Sequence, residues 1–135
     1  MTAGKTEVPF LDLLGIQVTQ IADGQSELAI DITEQHMNSW QVAHGGLLLT
    51  MVDAAMAVAA RSYDVADRSV VTIELKHSFL QAAVTRARAK GRVIHATPTM
   101  AFCEATILDN DDKICGHATG TFKYFKRLPT RLEKN

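Results

Sequence analysis

The sequence predicts an α+β domain in which an antiparallel sheet packs on one long central helix. Two observations carry that prediction. The run from His44 to Ala60 is almost wholly apolar, and alternating apolar patterns stand on either side of it. A helix that is apolar all round belongs in a core. One such helix against a single face of an antiparallel sheet is the economical packing for this order of elements.

The elements follow in turn. Met1 to Val8 is polar and expected to be poorly ordered, and residues 1–9 and 127–135 read as flexible termini. Phe10, Leu13 and Leu14 have helical spacing, and Gly15 ends that short segment. Ile16 and Val18 alternate with polar residues, Asp23-Gly24 reads as a hairpin turn, and Leu28, Ile30 and Ile32 alternate again. Glu34 to Ala43 has no clear period and reads as a loop. The helix starts at Gly45 or Gly46 and runs to about Arg61, free of proline and rich in Ala, Leu and Met. Three strand-like runs come next, Ser69–Leu80, Thr85–Ala96 and Thr99–Leu108. The acidic turn Asp109-Asn110-Asp111-Asp112 then leads to a further strand region, Ile114–Phe125. In outline this is two strands, one buried helix and three long strands.

Bulk properties narrow the function classes. At 135 residues the chain reads as one domain able to bury a core without cross-links. A net charge of −1 favours neither nucleic acid nor an anionic membrane as partner. Cys103 and Cys115 fit no metal spacing and no disulfide framework, and read as reduced core residues. The N-terminal stretch lacks the apolar core of a signal peptide. Leu47–Ala60 falls short of the ~20 residues that a bilayer requires. The expectation is a cytoplasmic protein.

Asp53 is the residue to explain. It sits inside the apolar helix, where burying an unpaired carboxylate costs several kcal/mol. Catalysis is the commonest reason to keep such a group.

Its company points the same way. Asn38, His44-Gly45-Gly46, Asp53, Val71-Thr72-Ile73-Glu74-Leu75 and Phe79-Leu80 together resemble the hotdog-fold acyl-CoA thioesterases of the phenylacetate-pathway and 4-hydroxybenzoyl-CoA type. Gly91-Arg92 and Gly116-His117-Ala118-Thr119-Gly120-Thr121-Phe122 add to the likeness, which covers residues 12 to 125. The resemblance implies a hotdog fold: the sheet wraps the central helix, and subunits pair as homodimers that pair again as homotetramers. It departs from the family at Gln81-Ala82-Ala83, where relatives usually carry a basic residue and a proline. Related hydratases place a histidine about one turn after the aspartate. Val58 stands near that place here and argues against hydration.

Thioester hydrolysis needs donors for the carbonyl oxygen's developing charge, and a base or nucleophile for the attack. The Gly45-Gly46 pair opens the helix with unpaired N–H groups and lets a substrate oxygen approach. Gly45 N–H reads as the oxyanion donor, a role the resemblance also implies; a mere tight entry to the helix is the plainer alternative. Asp53 attacks as nucleophile through a mixed anhydride, or acts as general base on a water. Gly45 and Asp53 are eight residues apart, about 12 Å along one helix. One chain therefore cannot readily present both to one thioester, whereas an antiparallel partner helix can. A symmetric dimer with two interfacial sites follows, and its monomer is expected to be inactive.

Other roles stay open. Asn38 donates to the thioester or positions a water, or is simply an Asx-turn residue. His44 orients the loop or touches substrate, or caps the helix. Thr72 corresponds by motif to a hydroxyl that assists the water, although strands favour Thr in any case. Gly46, Lys90, Arg92 and Trp40 are substrate-binding candidates. Lys90 and Arg92, continuing the alternation from Arg86 and Arg88, would meet coenzyme A phosphates or form a solvated strand face. Trp40 and Met37 line an acyl pocket or pack the loop. His36, His77, His95 and His117 read as structural or surface residues. No metal or organic cofactor is expected, coenzyme A being part of the substrate. The competing class is a non-catalytic protein that binds and senses acyl-CoA.

Overall fold

The computed structural model describes Thr6 and residues 8–126. A short helix α1 (Pro9–Leu14) is followed by strands β1 (Gln17–Ala22) and β2 (Gln25–Asp31) and a single 3-10 turn (Glu34–His36). The long helix α2 (Gly45–Tyr63) then leads to β3 (Ser69–Phe79), β4 (Arg86–Ala96), β5 (Met100–Asp109) and β6 (Ile114–Phe125). Four strands follow α2: the three long runs, and the strand region after the acidic turn, which is a full partner of its neighbours. The strands form one antiparallel sheet ordered β1-β2-β4-β5-β6-β3, with β1 and β3 at its edges. This is the hotdog arrangement.

Local chemistry explains the joints. Gly15 closes α1 in the left-handed conformation, at φ 84°. Asp109 holds the turn after β5 by accepting the N–H groups of Asp111 and Lys113 at 2.8 and 2.9 Å. Of the expected flexible N-terminus, residues 1–5 and 7 lie outside the described residues. Thr6 is buried, and its N–H donates to Asp12 Oδ1 at 2.7 Å, while Pro9 already belongs to α1. The other expected flexible terminus, 127–135, also lies outside them.

Small residues bring the sheet close to α2. Ala87 and Ala89 of β4 are fully buried, and a side chain at Gly91 would place its Cβ 2.5 Å from the Ala55 carbonyl oxygen. Ser26 of β2 donates to that same oxygen at 2.6 Å. Leu47, Leu48, Met51, Val52, Ala55, Met56, Ala59 and Ala60 of α2 are the residues buried in this core. Tyr124 of β6 donates its hydroxyl to the Ala60 carbonyl at 2.7 Å near the end of the helix. Cys103 and Cys115 are buried free thiols, and burial pushes Cys103 up to about 12.

One expectation is corrected here. The helix is apolar nearly all round but is not buried all round. Leu49, Thr50, Asp53, Ala54, Ala57, Val58 and Arg61 form a face that the sheet leaves half-exposed or open. At 19 residues α2 is long enough to cross a bilayer by length and composition, yet its other face is the floor of this core.

Candidate active site

Asp53 projects from the uncovered face of α2 into a groove of about 610 Å³ between the helix, α1 and the edge strand β3. It is half-buried rather than sunk in the core. Thr72 of β3 donates its hydroxyl to Asp53 Oδ1 at 2.7 Å. Strand alternation alone would not produce this contact. Side chains in a strand alternate faces, so Thr72 and Leu75 should lie on opposite sides. The β3–β6 register shifts between Thr72 and Glu74, making Ile73 an extra residue. Thr72 therefore meets the helix while Leu75 still packs on the core and Phe79 still faces Gly45. Glu74 turns to the other face, where Thr121 donates to it at 2.7 Å.

At the helix N-terminus, His44 is the N-cap: its Nδ1 accepts the Gly46 N–H at 2.8 Å. That settles its local task as a cap and takes the Gly46 N–H out of use. Accepting at Nδ1 puts the proton of the neutral ring on Nε2. No hydrogen-bond partner of the Gly45 N–H is found among the described residues. A side chain at Gly45 would set its Cβ 3.2 Å from the Phe79 ring, so the small residue lets β3 pack closely against the start of the helix.

Asn38 makes the Asx turn. Its Oδ1 accepts the Trp40 N–H at 2.9 Å and lies 3.4 Å from the Val42 N–H. This leaves its NH2 group as the free end of a fixed amide. Trp40 is 83% exposed on the same loop and lines none of the groove around Asp53.

Lys90 and Arg92 are not brought to Asp53. Gly91 between them faces α2, so both point off the opposite face of the sheet, and β5 and β6 separate their strand from β3. Each also has a carboxylate neighbour. Lys90 lies 3.6 Å from Glu27, and Arg92 donates to Glu104 at 2.8 Å. Within one chain they form the solvated, charge-paired strand face.

Two features had not been read from the sequence. Arg61 lines the Asp53 groove, a position that its spacing of eight from Asp53 would have indicated. The His77 ring lies over Gly116, edge-on to Phe79, with both nitrogens buried and unpartnered. Burial, and secondarily the His117 charge, hold it below the usual histidine pKa. Among the described residues no three His, Cys, Asp or Glu side chains converge as metal ligands.

The comparisons with known proteins agree with this geometry. Residues 41–116, over half the chain and including both Gly45 and Asp53, match the family model described as Thioesterase superfamily. The chain belongs to the thioesterase superfamily. It is 32% identical to a Pseudomonas aeruginosa protein named "Putative esterase PA0474", over 84% of this chain and 87% of that one. The chain spans about half the length (45%) of another match, from Archaeoglobus fulgidus, also named a putative esterase. Among solved structures, conserved protein PA5202 from Pseudomonas aeruginosa superposes with a TM-score of 0.82 at 30% identity, over 86% of this chain and 93% of that one. The E. coli PaaI protein from the phenylacetic acid degradation operon gives 0.82 at 21%, over 88% and 86%, a likeness of fold. The family and the relatives named putative esterase support thioester hydrolysis as the chemistry of this thioesterase-superfamily chain.

Proposed function

We propose that the protein hydrolyses an acyl- or aryl-CoA thioester to the free acid and coenzyme A. It would act in the cytoplasm as a homodimer that pairs again into a tetramer. The observation that carries this reading is the Thr72–Asp53 hydrogen bond inside an open, largely apolar groove. With Oδ1 held by Thr72, the second carboxylate oxygen is the one left for chemistry. As general base it takes a proton from water while the water oxygen bonds to the thioester carbon. The C–S bond then breaks, and the thiolate leaves with that proton. As nucleophile it bonds to the carbon itself, expels the thiolate and leaves a mixed anhydride for water to cleave.

The oxyanion formed on either course needs a donor about 3 Å away. Gly45 N–H of the same chain is about 12 Å along the helix from Asp53. The uncovered face of α2 supports a two-fold partner that sets its own Gly45 against this Asp53, with Asn38 beside the thioester. The test is thiol release from a panel of acyl- and aryl-CoA substrates by wild type, Asp53→Asn and Asp53→Ala. Turnover should fall roughly 10²–10⁴-fold in the variants. Equal rates in all three would overturn the proposal, and tight binding without turnover by wild type would make the protein a sensor of acyl-CoA.

A further inference from the structure

The described residues include five arginines, and four have carboxylate partners. Arg68 pairs with Asp64, Arg86 with Asp31, Arg88 with Asp112 and Arg92 with Glu104. Among the described residues Arg61 makes no ion pair or side-chain hydrogen bond, and it is exposed at the rim of the groove that holds Asp53. Between the two, the helix shows the groove only Ala54, Ala57 and Val58. The result is a trough with a small-residue floor, an acid at one end and a guanidinium two turns away. A cation in the last turn of a helix is favoured by the macrodipole wherever it points. That accounts for the charge but not for its place on the same face as Asp53, unpaired with any acid among the described residues.

We infer that Arg61 binds an anionic group of the thioester substrate and fixes its reach from the reacting carbonyl. This inference rests on the function proposed above. Eight residues of helix are about 12 Å between backbone positions, and the arginine side chain reaches several ångströms farther. An anion about ten to fifteen bonds from the reacting carbonyl therefore lies within its range, at roughly 3.4 Å for every three bonds of extended chain. Two parts of a substrate have that chemistry: a phosphate at the end of the coenzyme's thiol arm, or a carboxylate at the far end of the acyl chain. Guanidinium binds either as a two-pronged donor.

The experiment measures thiol release by wild type, Arg61→Ala and Arg61→Lys on three thioesters. One is an apolar acyl-CoA, one the same acyl group on pantetheine without phosphates, and one an ω-carboxyacyl pantetheine. Arg61→Ala should raise KM about ten- to a hundredfold on a thioester carrying the recognised anion. It should leave kcat within about twofold, with Arg61→Lys in between. A loss confined to the CoA thioester assigns the phosphate, and a loss confined to the ω-carboxy substrate assigns the acyl end. Equal KM for wild type and Arg61→Ala on all three overturns the inference while leaving the hydrolase intact. If wild type cleaves none of them, the proposed function fails. Calorimetric binding of CoA and of the ω-carboxyacyl pantetheine to wild type and Arg61→Ala then decides the anion site, and equal affinities for both ligands overturn it.

Discussion

The hydroxyl of Thr72 and the carboxylate of Asp53 meet at 2.7 Å across the gap between an edge strand and the open face of the central helix. The contact ties the edge strand to the helix at the floor of the groove. It predicts that Thr72→Val, which keeps the shape and removes the donor, lowers kcat roughly tenfold with little change in KM, as loss of one hydrogen bond to a charged group implies. The Asp53→Asn, Thr72→Val double variant should be scarcely slower than Asp53→Asn alone, because the two act as a unit. Steady-state kinetics on the four proteins checks this, and additive losses would place Thr72 outside the reaction.

Shared sites have a distinctive arithmetic. Gly45→Pro removes the N–H at a helix position that accepts proline, and Asp53→Asn removes the acid. Each alone should be inactive. Refolded together in equal amounts, half the dimers are mixed, and each mixed dimer has one intact site of two, which restores about a quarter of wild-type activity. Thiol release from the mixture measures it, and no recovery at all would mean that each chain works alone.

His77 predicts the acid side of the stability curve. Its pKa is lowered in the folded protein, chiefly by burial. Above the unfolded value of about 6.5 the ring is neutral in both states and stability does not respond to it. As pH falls below that value the unfolded chain takes up the proton first, so stability drops toward the folded pKa. His77→Phe should flatten this decline in chemical denaturation curves between about pH 6.5 and 5. An unchanged slope would assign the decline to other groups.

The two thiols should be inert in the folded state. Cys103 is pushed up to about 12 and Cys115 is also raised, both by burial, so little thiolate exists near pH 8. A thiol reagent should find neither cysteine rapidly in native protein and both after unfolding.

At Gly91 the helix lies against the strand itself. A Cβ there would come 2.5 Å from the Ala55 carbonyl oxygen, which is backbone and cannot swing aside. Gly91→Ala should destabilise the protein by about 1–3 kcal/mol or more, read as a lower midpoint in denaturant.

The sheet, the long helix and its boundaries were legible because periodicity reports which side chains face a core, and Leu47, Met51, Ala55 and Ala59 repeat at helical spacing. Asp53 was singled out for its chemistry, but its surroundings were misjudged. A stripe of Ala54, Ala57 and Val58 looks the same in sequence whether it faces a sheet or is left open. Lys90 and Arg92 read either as phosphate contacts or as a solvated strand face, and the choice stayed open because pairing across strands, to Glu27 and Glu104, depends on register that one strand does not encode. The Thr72 contact depends on a shift at Ile73, and nothing in the alternation of β3 marks an additional residue. His44 was legible as a possible cap, and Asn38 as a turn residue, because both act on neighbours a few positions away.

That shift has a consequence for how the strand tolerates change. Deleting Ile73 would restore perfect parity to β3 and, in doing so, force a choice: either the hydroxyl leaves the acid or Leu75 leaves the oily interior. Substituting Ile73 should be cheap by comparison. Length, more than identity, is what this position contributes.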